Sequence, residues 1–215
     1  TDYSLMTANE IVCADVHKVF QQITGMGKKI HPNLLIHAPF NLRKSLIKLI
    51  AAEKLAALEG KPARILAKLN SLTDPAIIKE LYAASQAGVQ IDLIVRGISC
   101  LKTGIPEVSE NIRVVSVVGR FLEHSRVYYF LNGSHQVYCA SADWMERNLS
   151  NRIEVCFPIL KKKHAARIMK EMELHLNDVG QSWELMPDGS YKGRDIESAK
   201  SDDVQLKLLR QLSQS

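Results

Sequence analysis

Residues 63–97, ARILAKLNSLTDPAIIKELYAASQAGVQIDLIVRG, set the fold class. The run 63–70 is apolar and of strand length. Thr73-Asp74-Pro75 then supplies a helix start: a carboxylate accepts the unpaired N–H groups of a first turn, and proline has no N–H to lose there. That helix is predicted to stop at Gly88, and residues 89–97 return as a second strand. Strand, helix and strand in so short a stretch form a βαβ unit, which favours parallel pairing and an α/β fold.

Towards the N-terminus, residues 41–59 are rich in Leu, Ala, Lys and Glu and are followed by Gly60, the pattern of a long helix with a glycine C-cap. LLIHAP at 34–39 reads as a buried strand. Thr7-Ala8-Asn9-Glu10 has the form of a capping box, and Ile11, Val12, Val16, Val19, Phe20 and Ile23 follow at helical spacing, so a helix is expected over 8–24, closed by Gly25. Gly25-Met26-Gly27 and Lys28-Lys29 read as a linker.

Towards the C-terminus the rhythm changes. NIRVVSVV (111–118), HSRVYYFLNG (124–133), HQVYCASA (135–142) and RIEVCFPI (152–159) are strand candidates joined by short turns, and Asn132-Gly133 is a strong hairpin signal. A helix over 161–177 places Ile168, Met169, Met172 and Leu176 on one side. The division expected is a lead-in helix and linker over 1–30, a main domain over 31–183, and a tail over 184–215 carrying a short helix at 204–212.

The 215 residues are 46% apolar and 24% charged, an ordinary globular balance. The net charge of +5 and pI near 9.0 favour anionic partners. Cys13, Cys100, Cys139 and Cys156 form no Cys-x-x-Cys pair, which argues for four buried thiols in a reducing cytoplasm rather than zinc or disulfides. There is no apolar run long enough for a membrane span and no signal-peptide pattern. Thr1 in place of an initiator Met suggests an excised domain, whose site would be half a site.

Arg96 closes the 89–97 strand ahead of Gly97, where ligand crevices lie in α/β sheets. It is either a phosphate ligand or a surface arginine ending a strand. Alternation puts His124, Arg126 and Tyr128 on one face and Ser125, Val127 and Tyr129 on the other, with Glu123 pointing away from His124. Imidazole exchanges protons near neutral pH, and guanidinium offers a fixed fork of donors, so the pair suits phosphate chemistry. Two adjacent cations would repel, so an anion or carboxylate is expected beside them. Arg152 and Glu154 share a face, and either pair with each other or divide between substrate and His124. Ser141-Ala142-Asp143-Trp144 reads as a turn on the rim of a site, or as an Asp cap with a structural Trp. His17, His31, His37, His135, His164 and His175 read as structural or exposed, and Lys161, Lys162 and Lys163 as a solvated first turn.

The segments LYAASQAGVQIDLIVRGISCL, NIRVVSVVGRFLEHSRVYYF and SADWMERNLSNRIEV, with TDYSLMTANE at the start, closely resemble the C-terminal part of bacterial polyphosphate kinase. The resemblance covers nearly the whole chain. It implies a phospholipase-D-like domain, a mixed β-sheet flanked by helices, one of two such domains that each carry one histidine of a paired active site. The usual His-x-Lys-x-x-x-x-Asp motif of that fold is altered here: Arg126 stands for the lysine and Leu131 for the aspartate. It implies that Arg96, His124 and Arg152 contact ATP or phosphate, with His124 catalytic; Arg126 and Glu154, by their strand positions, are read as supporting residues. The phosphorylated histidine, the arginines associated with Mg2+ and a tyrosine that packs on the base belong by resemblance to sequence preceding Thr1, so no metal site is expected in this chain and the fragment is expected to be inactive alone. Expected partners are ATP or ADP, inorganic polyphosphate and the preceding domains, in a homo-oligomeric enzyme that binds no nucleic acid. Its expected place is the cytoplasm, with membrane association of a complex left open. Two rivals stand: a phospholipase-D-like phosphodiesterase or nuclease, against which the missing Asp weighs, and a noncatalytic polyanion-binding module.

Overall fold

In the computed structural model, which describes residues 1–25, 32–193 and 203–213, β2 (Arg64–Leu69) and β3 (Gln90–Val95) pair in parallel. Between them α3 (Pro75–Gln86) crosses over, capped by the Asp74 carboxylate, which accepts the Ile77 N–H at 3.0 Å. Gly88, at φ +94°, turns the chain back in a conformation that costs a side chain dearly. β4 (Ile112–Val117) adds a third parallel strand beside β3.

The remaining strands join antiparallel. They are β1 (Ile36–Ala38), β5 (Arg126–Phe130), β6 (Val137–Ala140), β7 (Glu154–Pro158), β8 (Ser182–Leu185) and β9 (Tyr191–Gly193). Among the described residues one mixed sheet results, in the order β1-β7-β6-β5-β2-β3-β4-β8-β9. Alternate residues of β2 enter different cores. Ile65, Ala67 and Leu69 pack with Leu46 and Ile50 of α2 (Leu42–Leu58), with Ile77 and Leu81 of α3, and with Tyr128 and Trp144. Leu66 packs with Val127 and with Ile168, Met172 and Leu176 of α4 (Lys162–Leu176), and with Leu208 of α5 (Val204–Ser213). A sheet covered on both faces explains why its central strands read as apolar runs.

The lead-in helix α1 (Glu10–Ile23) is tied to this domain by a buried carboxylate. Asp15 accepts the N–H groups of Asn33, Leu34 and Leu35 at 2.8, 2.6 and 3.1 Å, and Val12 and Val19 pack on Leu35. Burial pushes the Asp15 carboxyl up, but these N–H donors and Lys18 hold it below its ordinary value. Asp15→Ala should cost about 1.5–3 kcal/mol, because it strands backbone donors that a charged acceptor had satisfied. Urea denaturation monitored by circular dichroism tests this, and an unchanged midpoint would contradict it.

Several expectations are corrected. Asn9, not Thr7, caps α1, its Oδ1 accepting the Val12 N–H at 3.1 Å while the Thr7 hydroxyl receives the Asn9 N–H. Asn132-Gly133 does lie in a hairpin, the antiparallel β5–β6 pair, but its loop spans residues 131–136, where buried Glu53 accepts from both the backbone N–H and the side-chain amide of Asn132. A π-helix, Arg147–Asn151, stands between β6 and β7 where a simple turn was expected. Cys13 and Cys100 are exposed, and only Cys139 and Cys156 are buried. The sheet continues past residue 183, which falls inside β8, so the start of the expected tail completes the sheet. The proposed domain start at His31 and most of the linker lie outside the described residues. No helix among the described residues is long and apolar enough to cross a membrane.

Candidate active site

Strand register assembles the site. Leu69 lies opposite Val95, Lys68 opposite Val127, Arg126 opposite Ala140 and Ala140 opposite Cys156. The carboxyl ends of β2, β3 and β6 and the amino ends of β5 and β7 therefore meet at one edge of the sheet. Arg96, His124, Arg126, Arg152 and Glu154 all sit along that edge.

Four of these strand ends are joined by a polar network. Arg96 donates from Nε to the Oδ1 of Asn70 at 2.5 Å. Gly97 permits that approach, since a Cβ there would lie 2.7 Å from the Asn70 carbonyl oxygen. Asn70 is buried, and its backbone N–H donates to Asp143 Oδ1 at 2.7 Å. Asp143 accepts in turn from Arg126, Nε to Oδ1 at 3.4 Å and Nη2 to Oδ2 at 3.3 Å. Asp143 caps no helix but orients Arg126 at the end of the strand, while Trp144 beside it is fully buried against Tyr128, their ring centroids 5.2 Å apart.

His124 lies just before β5, half-exposed, between Arg126 and Asp2. Arg126 Nη1 is 3.3 Å from His124 Nε2, and Asp2 Oδ2 is 2.8 Å from Nδ1. Arginine has only donors, so the contact with Arg126 uses the imidazole lone pair at Nε2 and leaves the ring proton on Nδ1, donated to Asp2. A carboxylate at Nδ1 and a guanidinium N–H at Nε2 together fix the orientation of the ring at the mouth of the sheet edge. Burial raises the Asp2 carboxyl, but the hydrogen bond from His124, the Tyr3 N–H and the nearby positive charges hold it below its ordinary value. The carboxylates expected beside the His-Arg pair are therefore Asp2 and Asp143. A cleft of about 280 Å³ opens here, lined by Asp2, His124, Arg126, Ser141 and Phe157 among others.

Behind His124 the chain turns inward. Glu123 is buried, accepting at Oε2 from Lys68 Nζ at 2.7 Å and facing His175 Nε2 at 3.1 Å, while Lys68 also donates to Ser125 Oγ at 2.6 Å. Burial drives the Glu123 carboxyl up, yet the His175 hydrogen bond and the Lys68 charge hold it far below the usual carboxylate range. Burial weighs more on the Lys68 ammonium than the attraction of Glu123 restores, so Lys68 lies below its ordinary value.

Arg152 is exposed at the end of the π-helix, in extended backbone, and among the described residues no side-chain hydrogen bond or ion pair holds it. Glu154 pairs with neither Arg152 nor His124. It is buried between the Ser141 hydroxyl and Asn148 Nδ2, the latter at 2.6 Å. Tyr128 also leaves the polar face, buried with its hydroxyl donating to the Ala142 carbonyl. Asp2, Asn70, Asp143, Lys68 and Ser125 complete the picture. Of these only Asp143 carried a signal in the sequence, as part of a small, polar strand end.

The mixed sheet flanked by helices has the phospholipase-D-like fold. Nuc of Salmonella typhimurium, a phospholipase D family member, superposes with a TM-score of 0.51 at 17% identity over 71% of this chain and 96% of its own. Within that fold the chain belongs to the polyphosphate kinase family: the family profile described as polyphosphate kinase C-terminal domain 2 matches residues 35–205. The polyphosphate kinase of Pseudomonas aeruginosa is 57% identical over 89% of this chain and 28% of its own length, and that of Pseudomonas putida 54% identical over 99% and 30%. The crystal structure of polyphosphate kinase from Porphyromonas gingivalis matches with a TM-score of 0.91 at 37% identity, covering 97% of this chain and 32% of that one. The chain thus spans less than a third of these relatives.

Proposed function

We propose that this chain supplies one wall of the active site of a polyphosphate kinase, which reversibly transfers the γ-phosphate of ATP to inorganic polyphosphate through a phosphohistidine on the preceding domain. The observation that carries the reading is the Asp2–His124–Arg126 arrangement at the sheet edge, with Arg96 fixed beside it through Asn70. In the first step a histidine nitrogen bonds to the γ-phosphorus as the bond to the ADP oxygen breaks. In the second, the terminal oxygen of polyphosphate bonds to that phosphorus as the nitrogen–phosphorus bond breaks.

To act as a donor to the transferring oxygens His124 takes up a proton at Nε2, which displaces the Arg126 N–H from that nitrogen, and Asp2 stabilises the imidazolium so formed. Arg96, Arg126 and Arg152 offset the charge that spreads over the equatorial oxygens, since positioning and electrostatics are the protein's main contributions to phosphoryl transfer. Asp2 and Asp143 are engaged by His124 and Arg126, and among the described residues no three His, Cys, Asp or Glu side chains are grouped to hold a metal, so in this reading magnesium would be held mainly by the preceding domain. The complete enzyme is a homo-oligomer in this reading, with ATP or ADP and polyphosphate as its ligands.

Calorimetry with Mg-ATP and with polyphosphate, on the wild-type chain and on Arg96→Ala, tests the reading. Arg96→Ala should bind more weakly and, in the complete enzyme, lose roughly 2–4 kcal/mol of transition-state stabilisation. Equal binding and turnover would move the phosphate site elsewhere, and turnover by the fragment alone would show that it carries its own nucleophile.

A further inference from the structure

The proposed chemistry makes no use of Gln205, yet its side chain has the most specific placement in α5. Gln205 is 2% exposed, whereas Leu206, Leu209 and Leu212 of the same helix face outward. Its Nε2 donates to the Phe121 carbonyl and to Glu123 Oε1, both at 2.7 Å, and its Oε1 accepts the Phe121 N–H at 2.8 Å. Residues 118–125, which lead from β4 to β5, lie in no strand. By bonding both backbone groups of Phe121, the Gln205 amide takes the place of a neighbouring strand.

Three further contacts make this support tight. A Cβ on Gly119 would lie 2.6 Å from Gln205 Oε1 and closer still to the amide of Gln181, so the glycine lets the loop press against the two glutamines. Glu123 is held at both oxygens, Oε1 by Gln205 and Oε2 by Lys68 and His175. The next residue is His124, whose own backbone N–H donates to the Thr1 carbonyl at 3.0 Å.

We propose that Gln205 is a positioning residue for phosphoryl transfer: α5 grips the 119–123 loop and through it sets the place of His124 relative to Arg96 and Arg126. Misplacing a reacting group by about 1 Å can cost about 10²-fold in rate, so a bond this close to His124 is felt in turnover before it is felt in folding. This inference rests on the role given to His124.

The test uses the full-length enzyme as wild type, Gln205→Leu, Gln205→Asn, Gly119→Ala, His124→Ala and, as a control on the outer face of α5, Leu209→Gln. Turnover, KM for ATP, melting temperature and the His124 ring signal in NMR spectra are measured for each. Gln205→Leu and Gly119→Ala should lose tenfold or more in kcat with KM for ATP within about twofold of wild type. Gln205→Asn should fall between them and wild type, the His124 signal should shift in step with kcat, and Leu209→Gln should match wild type. Wild-type kcat in folded Gln205→Leu, or a loss of kcat with the His124 signal unmoved, would overturn the proposal. Full activity in His124→Ala would instead overturn the reading of the site on which it rests.

Discussion

His124→Ala in the complete enzyme is expected to lower kcat about 10²- to 10⁴-fold, the range over which a positioned acid or base contributes, while the protein folds as before. The side chain is 44% exposed and its partners, Asp2 and Arg126, both reach solvent, so removing it opens no core cavity and leaves no buried charge alone. Steady-state polyphosphate synthesis beside a thermal melt separates the two effects. Asp2→Asn should reproduce part of the loss, because an amide cannot stabilise the imidazolium. A His124→Ala enzyme with undiminished turnover would remove His124 from the mechanism.

The largest effect on stability is expected at the neighbouring residue. Glu123→Ala leaves the Lys68 ammonium and His175 buried without their carboxylate, and breaking a buried pair from one side costs about 3–5 kcal/mol. The pH dependence has a definite sign. The folded carboxyl lies well below its ordinary value near 4.5, so its contribution is present in full above that pH and is lost as pH falls below it. Urea midpoints measured from neutral pH down to about pH 3 should fall in the wild type, and fall less steeply in Glu123→Ala. Parallel curves would assign the acid sensitivity to other carboxylates.

Both residues show where sequence reading reaches and where it stops. The βαβ unit was legible because local chemistry dictates it: Asp74 caps, Pro75 fits a first turn, and Gly88 turns the chain. Arg96 and His124 stood out because strand ends and alternation place them without knowledge of distant contacts. Glu154 shows the limit, since its true partners, Ser141 and Asn148, depend on how β6 and the π-helix fold back. Asn132-Gly133 does mark the β5–β6 hairpin, but the length of its loop was not legible, because a carboxylate from α2 holds the Asn132 donors. β8 escaped notice because SWEL is short and only half apolar, and pairing with β4 supplies what its own pattern lacks. Asp2 carried no local signal at all, being 122 positions from the ring it holds.

That distance bears on how such genes can recombine. The family profile begins at residue 35, yet the aspartate that orients His124 lies ahead of it. A crossover between homologous genes near codon 30 would preserve every strand of the sheet and still draw the two members of the Asp2–His124 pair from different parents. Chimaeras that take residues 1–215 from one parent would inherit the pair intact. Comparing the two sets of hybrids would show whether the unit of inheritance for this site is the folded domain or the domain together with the segment that precedes it.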